Sequence, residues 1–363
     1  MSNLRIALVG PLPPPEGGMA NQTQQLSKLL GSESYDVRIV QTNLPYIPRW
    51  IGRYRGVRAL FRLCRYLRRL WSVIGKSQIC HVMANSGMSW HLFVAPAVWV
   101  AYLRRVPIII NYRGGEADKF FEKSFRWVKP TLGRATVVVV PSGYLAEIFK
   151  KWGINTQVVP NIINLDLFQP RPISCPDEKL EQPHILVARN LEPIYGIDVA
   201  LYAFSNLLDH LDDARLTIAG SGPQQSELRA LAGKLGIAEK VIFVGRMRND
   251  EMAALYQRVD ILLNASLVDN MPISLLEAMA SGIPIVSSAA GGIPYLVKQD
   301  KTALLVKPGD SAAMSDALVR IINNGALRNR LVRNGLQEIR RYSWPSVRDR
   351  LLEIYHNVAA LGN

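Results

Sequence analysis

Residues 266–292 read SLVDNMPISLLEAMASGIPIVSSAAGG, and the rest of the chain is organised around them. Asp269 lies in a loop, and Glu277 follows eight residues later inside a short helix. Pro272 can open that helix, since a first-turn proline gives up only an amide that has no intrahelical partner. Gly282 ends the helix, and Ile283-Pro-Ile-Val286 reads as a buried strand. Two carboxylates therefore flank a helix N-terminus, whose free amides and dipole favour phosphate. The combination suits a ligand that carries both hydroxyls and a diphosphate, such as a sugar nucleotide.

Working backwards from this stretch, HILVAR (184–189), ARLTIAG (214–220), VIFVG (241–245) and DILLNAS (260–266) are short apolar runs. Helical segments such as IDVALYAFSNLL (197–208) and SELRALAGKLG (226–236) separate them. Buried strands alternating with helices predict a parallel sheet covered on both faces. The first half repeats the pattern with RIALVG (5–10), YDVRIVQT (35–42), ICHVMA (79–84), VPIIINY (106–112) and ATVVVVPS (135–142). A helix over 19–30, ending at Gly31, follows the first strand and its loop PLPPPEGG. Residues 165–184 hold four prolines and little periodicity.

At 363 residues the chain exceeds what one core usually supports. We expect an α/β protein of two doubly wound, Rossmann-like domains facing a central cleft. The N-terminal domain takes 1–168, the linker 169–184 and the C-terminal domain 185–345. A last helix, about 346–363, returns to the first domain.

The formal net charge of +14 belongs to the first half: residues 1–175 hold 23 Lys/Arg against 8 Asp/Glu. Cys64, Cys80 and Cys175 are odd in number and widely spaced, so neither a disulfide framework nor a metal site emerges. A reducing cytoplasm fits. Leu4–Val9 is too short for a signal-peptide core. Met88–Leu103 has 16 residues, fewer than the roughly 20 that cross a bilayer, and reads as a helix buried against a sheet.

Residues 49–71 (RWIGRYRGVRALFRLCRYLRRLW) contain eight arginines and no acid. Arg58, Arg62, Arg65 and Arg69 share one helical face, with Leu60, Leu63, Leu67 and Leu70 opposite and Trp71 at the edge. Cationic amphipathic helices with aromatics bind anionic membrane surfaces, which is the expected partner here. A nucleic-acid partner is the weaker reading, because no helix-turn-helix or RNA-binding motif accompanies the arginines.

The stretch Glu277-Ala-Met-Ala-Ser-Gly282-Ile-Pro284-Ile-Val with Gly291-Gly292 resembles the signature of the retaining glycosyltransferases of family 4, which have the GT-B fold. In that pattern, E-x7-E precedes A-M-A-x-G-x-P-V-V; here Asp269 replaces the first Glu. Ala188-Arg189 to Tyr195-Gly196 is similar to the family's G-R-l-x-x-x-K-G, with Tyr195 in place of Lys. The resemblance implies that Arg189 meets the donor diphosphate, for which a guanidinium fork is suited. It gives Glu277 the ribose hydroxyls and Asp269 the donor sugar, with backbone amides of Asn270 and Met271 close to the diphosphate. Gly220-Ser-Gly222 resembles the family's G-x-G-P turn, and Val244-Gly245-Arg246 resembles the family loop that lies near the nucleotide base. Gly17 and Gly18 match the N-terminal glycine loop, and no lysine makes them a P-loop.

Many members carry T-x-H-G where this chain has Tyr112-Arg113-Gly114, so Arg113 takes the histidine's place. Arginine is not a base at neutral pH, but it can stabilise a departing diphosphate. His81 and Glu116 are further candidates for the acceptor side. The function implied is transfer of a sugar from a UDP- or GDP-linked donor, with retention, to a hydroxyl of a lipid-linked glycan in polysaccharide biosynthesis. The enzyme would be peripheral on the cytoplasmic face of the membrane, with no cofactor besides the donor. No D-x-D tripeptide is present, in keeping with metal independence. A nucleotide-sugar-binding protein with impaired transfer is the alternative, prompted by Asp269, Tyr195 and Arg113.

Overall fold

The computed structural model describes residues 4–43, 55–171 and 179–362, with the backbone alone over 55–61. In the first half, β1 (Arg5–Gly10) leads to α1 (Gly18–Ser32) and β2 (Asp36–Gln41). Next come α2 (Arg55–Ile74), β3 (Ile79–Ala84), α3 (Ala95–Leu103), β4 (Ile108–Tyr112), α4 (Ala117–Leu132), β5 (Val137–Val140), α5 (Gly143–Lys151) and β6 (Gln157–Val158). The second half runs β7 (His184–Ala188), α6 (Ile197–Leu208), β8 (Arg215–Ala219), α7 (Gln225–Lys234), β9 (Val241–Gly245), α8 (Asn249–Tyr256) and β10 (Ile261–Asn264). It ends with α9 (Ile273–Ala280), β11 (Ile285–Ser288), α10 (Ile293–Leu296), β12 (Leu304–Val306), α11 (Ser311–Asn323), α12 (Gly325–Glu338) and α13 (Trp344–Ala360).

The strands form two six-stranded sheets, ordered β2-β1-β3-β4-β5-β6 and β12-β11-β10-β7-β8-β9. Neighbouring strands are parallel, as their unbroken apolar runs predict. Every residue of β3 and of β4 is buried, because helices cover both faces. In the second sheet the order reverses between β7 and β10. Chain connections lead away in opposite directions there, and their loops leave a crevice at the carboxyl ends of the strands.

The chain divides into one compact unit of residues 1–160 and 347–363 and a second of 161–346. Residues 161–168, assigned to the first domain from sequence, therefore fall in the second. Their apolar side chains decide this: Ile163 and Phe168 are buried in the core that holds Leu186, Leu262, Leu275 and Tyr256. Phe168 meets Tyr256 edge-on at 5.8 Å between ring centroids. Part of the 169–184 linker, with Cys175, lies outside the described residues. Helix α13 joins the first unit from Val347 onward; Arg348 pairs with Glu33 at 3.5 Å, and His356 meets the Tyr35 hydroxyl at 3.1 Å.

Three local readings change. Helix α1 runs through Gly31 to Ser32. Residues 88–103 are helical, with a π-type turn at Trp90–Val94, and only one side is buried. Trp90, Val94, Ala97, Val98 and Ala101 face the core, while Leu92, Trp99, Tyr102 and Leu103 are exposed. No helix among the described residues is long and apolar enough to cross a membrane.

The arginine stripe of α2 also turns out differently. Tyr66, Leu70 and Ile74 form its buried face, and Leu67 is exposed. Arg62 is half-buried: it donates to the Thr42 carbonyl at 2.7 Å and lies 5.3 Å above the Phe93 ring. Arg69 donates to the Ile39 carbonyl at 3.1 Å. Both arginines thus tie the helix to the end of β2, although Arg69 keeps an exposed face. Arg65 and Trp71 are exposed, and the side chain of Arg58 lies outside the described residues.

Candidate functional site

Arg189 leaves the end of β7 and Asp269 follows β10, so the two stand on either side of the strand-order reversal. Their side chains form an ion pair in which both are largely buried. Arg189 Nε also donates to Asn264 Oδ1 at 3.0 Å, and its guanidinium lies 5.1 Å above the Tyr195 ring. Asp269 accepts from the Asn270 amide at 2.8 Å and from the Ser266 hydroxyl at 3.3 Å. The sequence reading gave Arg189 to a diphosphate and Asp269 to a sugar; the fold makes them partners. A shorter acid than Glu fits the pair, since its carboxylate reaches both Arg189 and the amide of the next residue. The Asn270 amide is engaged by that carboxylate. Met271 is buried, with its carbonyl accepting from Asn161 Nδ2 at 3.0 Å.

Pro272 stands just before α9 as its N-cap, and Gly282 lies just beyond it at φ +67°, the left-handed conformation that stops helices. Glu277, in the middle of α9, is half-buried. The Tyr256 hydroxyl, fully buried, lies 3.1 Å from Glu277 Oε2 and 3.2 Å from the Ser274 carbonyl. Burial pushes the Glu277 carboxyl up to about 7, while the Tyr256 hydroxyl and the positive charge of Arg189 pull the other way. A carboxyl poised near neutrality, opposite a cation, is the kind of group that functional sites hold.

Two glycines keep this arrangement tight. A Cβ at Gly220 would lie 1.9 Å from the Arg189 carbonyl, so glycine lets the exit of β8 run against the backbone of Arg189. A Cβ at Gly292 would lie 2.1 Å from the Asn270 carbonyl, and the Gly292 amide donates to the Asp269 carbonyl at 2.9 Å. The Gly-Gly pair after β11 is thus a clamp on the Asp269 loop. Gly222 lies just ahead of α7, with its carbonyl bonded to the Gln225 amide at 3.3 Å. Arg246 is exposed beyond β9.

In the first unit, Gly17 and Gly18 open α1 after β1, and the Asn21 amide bonds the Gly17 carbonyl at 2.9 Å. Gly17 has extended backbone that any residue adopts, and a Cβ there would meet nothing within 4 Å. Arg113, just past β4, donates from Nε to Asn111 Oδ1 at 3.2 Å and from Nη1 to Gln22 Oε1 at 3.3 Å. Burial draws the guanidinium down to about 10, which still leaves it charged at neutral pH. His81 lies inside β3 with no exposed surface, so it offers nothing for an acceptor to touch. Its Nδ1 meets the Tyr355 hydroxyl at 2.7 Å, and its Nε2 meets Asn111 Nδ2 at 3.1 Å. Burial, then the charge of Arg113, lowers its basicity to about 3. Glu116 stands at the start of α4 and pairs with Lys119 at 3.3 Å. Among the described residues, no group of three His, Cys, Asp or Glu could hold a metal ion.

Asn264, Tyr256, Asn161 and Tyr355 were not singled out from sequence. Asn264 had a signal, being a polar residue at the end of the apolar run ILLN; its amide nitrogen donates to the Ser287 hydroxyl at 2.9 Å. Tyr256 had none, since its partner is 21 residues away on another helix.

Two family models cover most of the chain. "Glycosyltransferase Family 4" matches residues 16–167, and "Glycosyl transferases group 1" matches residues 175–338. The phosphatidyl-myo-inositol mannosyltransferase of Mycobacterium leprae is 26% identical over 96% of this chain and 95% of its own length. The GDP-mannose-dependent alpha-(1-6)-phosphatidylinositol monomannoside mannosyltransferase of Mycobacterium tuberculosis is 26% identical over 88% of this chain and 89% of its own. Among solved structures, sucrose-phosphate synthase from Thermosynechococcus elongatus superposes with a TM-score of 0.76 at 20% identity, covering 99% of this chain and 100% of that one. Anabaena HepE, solved with UDP and glucose, gives 0.75 at 16% identity, covering 98% and 100%. These likenesses establish the GT-B fold expected from the sequence.

Proposed function

Because the chain belongs to glycosyltransferase family 4, with a group 1 glycosyl transferase domain in its second half, we propose that it moves a sugar, with retention, from a nucleoside-diphosphate sugar to a hydroxyl of a lipid-linked glycan. The observation that carries this reading is the Arg189–Asp269 pair at the strand-order reversal, with Glu277 one helix away. Asp269, Asn264 and the Tyr195 ring hold the Arg189 guanidinium in one orientation. A cation fixed in advance stabilises charge developing on a departing diphosphate without reorganising at the moment of reaction. Glu277, ionised, accepts from ribose hydroxyls. Arg113, on the first unit, keeps the role of a cation for phosphate that the resemblance gives it, and transfer needs no metal.

The donor class is a uridine or guanosine diphosphate sugar. The two mycobacterial relatives are named for acceptors built on phosphatidylinositol, which supports an acceptor with a lipid anchor. The membrane contact is proposed on the first unit, where no Asp or Glu occurs between residues 37 and 115. Exposed aromatics there carry their own arginines: Arg104 lies 4.8 Å above the Trp71 ring, and Arg134 lies 4.3 Å above Tyr102 and 5.4 Å above Trp99. With Leu103 65% and Trp127 71% exposed, this face combines apolar bulk with positive charge, as anionic bilayers require.

A thermal-shift panel of UDP, GDP and ADP sugars tests the donor half. One nucleotide class should stabilise the protein, and stabilisation by none would sink the reading. Flotation with vesicles containing anionic lipid tests the other half: wild type should float, and Trp99→Ser with Leu103→Ser should stay at the bottom. Equal flotation of both would remove this face from the proposal.

A further inference from the structure

The hydrogen bonds around Arg113 have only one consistent direction. Arginine has no acceptor, so Asn111 must present its oxygen to Arg113 Nε, at 3.2 Å. The Asn111 amide nitrogen then faces His81 Nε2 at 3.1 Å and donates to it. That nitrogen must be bare, which places the imidazole proton on Nδ1, where the Tyr355 hydroxyl oxygen accepts it at 2.7 Å. His81 and Asn111 are both buried, and Tyr355 has no exposed surface. A neutral imidazole is the only form that completes the chain, in keeping with burial that suppresses its protonation.

We propose that Tyr355, brought back to the first unit by α13, is a positioning residue that acts through His81 and Asn111 to set the guanidinium of Arg113. The inference rests on the role given to Arg113 above, and it adds a task for the chain's last helix. Tyr355 touches no reacting atom. Its hydroxyl accepts the Nδ1 proton of the tautomer that Arg113 and Asn111 impose and so anchors the His81 ring; the bare Nε2 of that ring holds the Asn111 amide, and Asn111 Oδ1 holds Arg113 Nε. Small displacements of a group that stabilises charge are costly to rate, up to about 100-fold for an ångström.

The test is a double-mutant cycle in kcat for transfer, with Tyr355→Phe and Arg113→Lys. Tyr355→Phe should lower kcat about 10-fold with little change in donor KM. The same substitution should cost nothing further in the Arg113→Lys protein. An equal fractional loss in both backgrounds would overturn the proposal, as would unchanged kcat. Nitrogen-15 NMR of histidine-labelled wild-type protein gives a readout that needs neither variant nor activity. His81, identified by the signal that disappears in His81→Gln, should be neutral with its proton on Nδ1 at neutral pH. A proton on Nε2, or an imidazolium, would overturn the relay even in a fully active enzyme. Failure of the wild-type protein to transfer any sugar would instead strike the functional reading, with the tautomer still deciding the network.

Discussion

Replacing Glu277 by Gln should stabilise the ligand-free protein at alkaline pH while weakening nucleotide binding. The carboxyl is raised from 4.5 to about 7 in the fold, so between those values the folded state holds a proton that the unfolded chain releases. The contribution is fully present below 4.5 and is lost as pH rises through about 7. At about 1.4 kcal/mol per pH unit, the difference is worth about 3 kcal/mol. Gln keeps the side-chain oxygen that accepts from Tyr256, carries no charge, and does not titrate. The wild type should therefore fall relative to Glu277→Gln by about 3 kcal/mol between pH 4 and pH 8. For a unit of residues 161–346, about 2–4 °C per kcal/mol gives a gap of roughly 6–12 °C in Tm at pH 8. Scanning calorimetry across that pH range, following the transition that nucleotide shifts, measures it directly. Nucleotide affinity should drop roughly 10- to 100-fold in the same variant, the usual worth of a hydrogen bond to a charged group. Parallel Tm curves for the two proteins would refute the reasoning, because they would mean that Glu277 titrates alike in the folded and unfolded chain.

Tyr256→Phe removes the hydroxyl that helps to hold the Glu277 carboxyl down, so the apparent pKa governing nucleotide binding should move upward; an unmoved pH profile of Kd would contradict the contact. Gly292→Ala has an ordinary backbone angle but drives a Cβ against the Asn270 carbonyl. It should lower both Tm and donor affinity, whereas Gly17→Ala, with open space around it, should leave Tm within about 1 °C. EDTA should leave transfer intact, and complete loss of activity would mean that a metal takes part.

Much of this molecule is legible along the chain. The apolar runs and their spacing specify ten of the twelve strands among the described residues, because buried parallel strands need uninterrupted hydrophobic sequence, while the two- and three-residue strands β6 and β12 are too short to leave such a run. The segment around Pro272 and Gly282 specifies its helix within a residue or two, since both residues act through local backbone geometry. The division of the chain was misplaced by eight residues because proline content marks a linker only loosely, while the burial of Ile163 and Phe168 is a fact of packing.

The site divides in the same way. Sequence alone singled out Arg189, Asp269, Glu277 and Arg113, because the motifs around them resemble those of a known family and stand beside buried strands or in the short helix α9. Only the tertiary structure decided which of them are partners. Arg189 and Asp269 are 80 residues apart, Asn111 and His81 are 30, and His81 and Tyr355 are 274. Side-chain hydrogen bonds between separate strands and helices leave no periodic trace in a single sequence. They arise when the sheet sets two strand ends side by side, and when a last helix returns to the unit where the chain began.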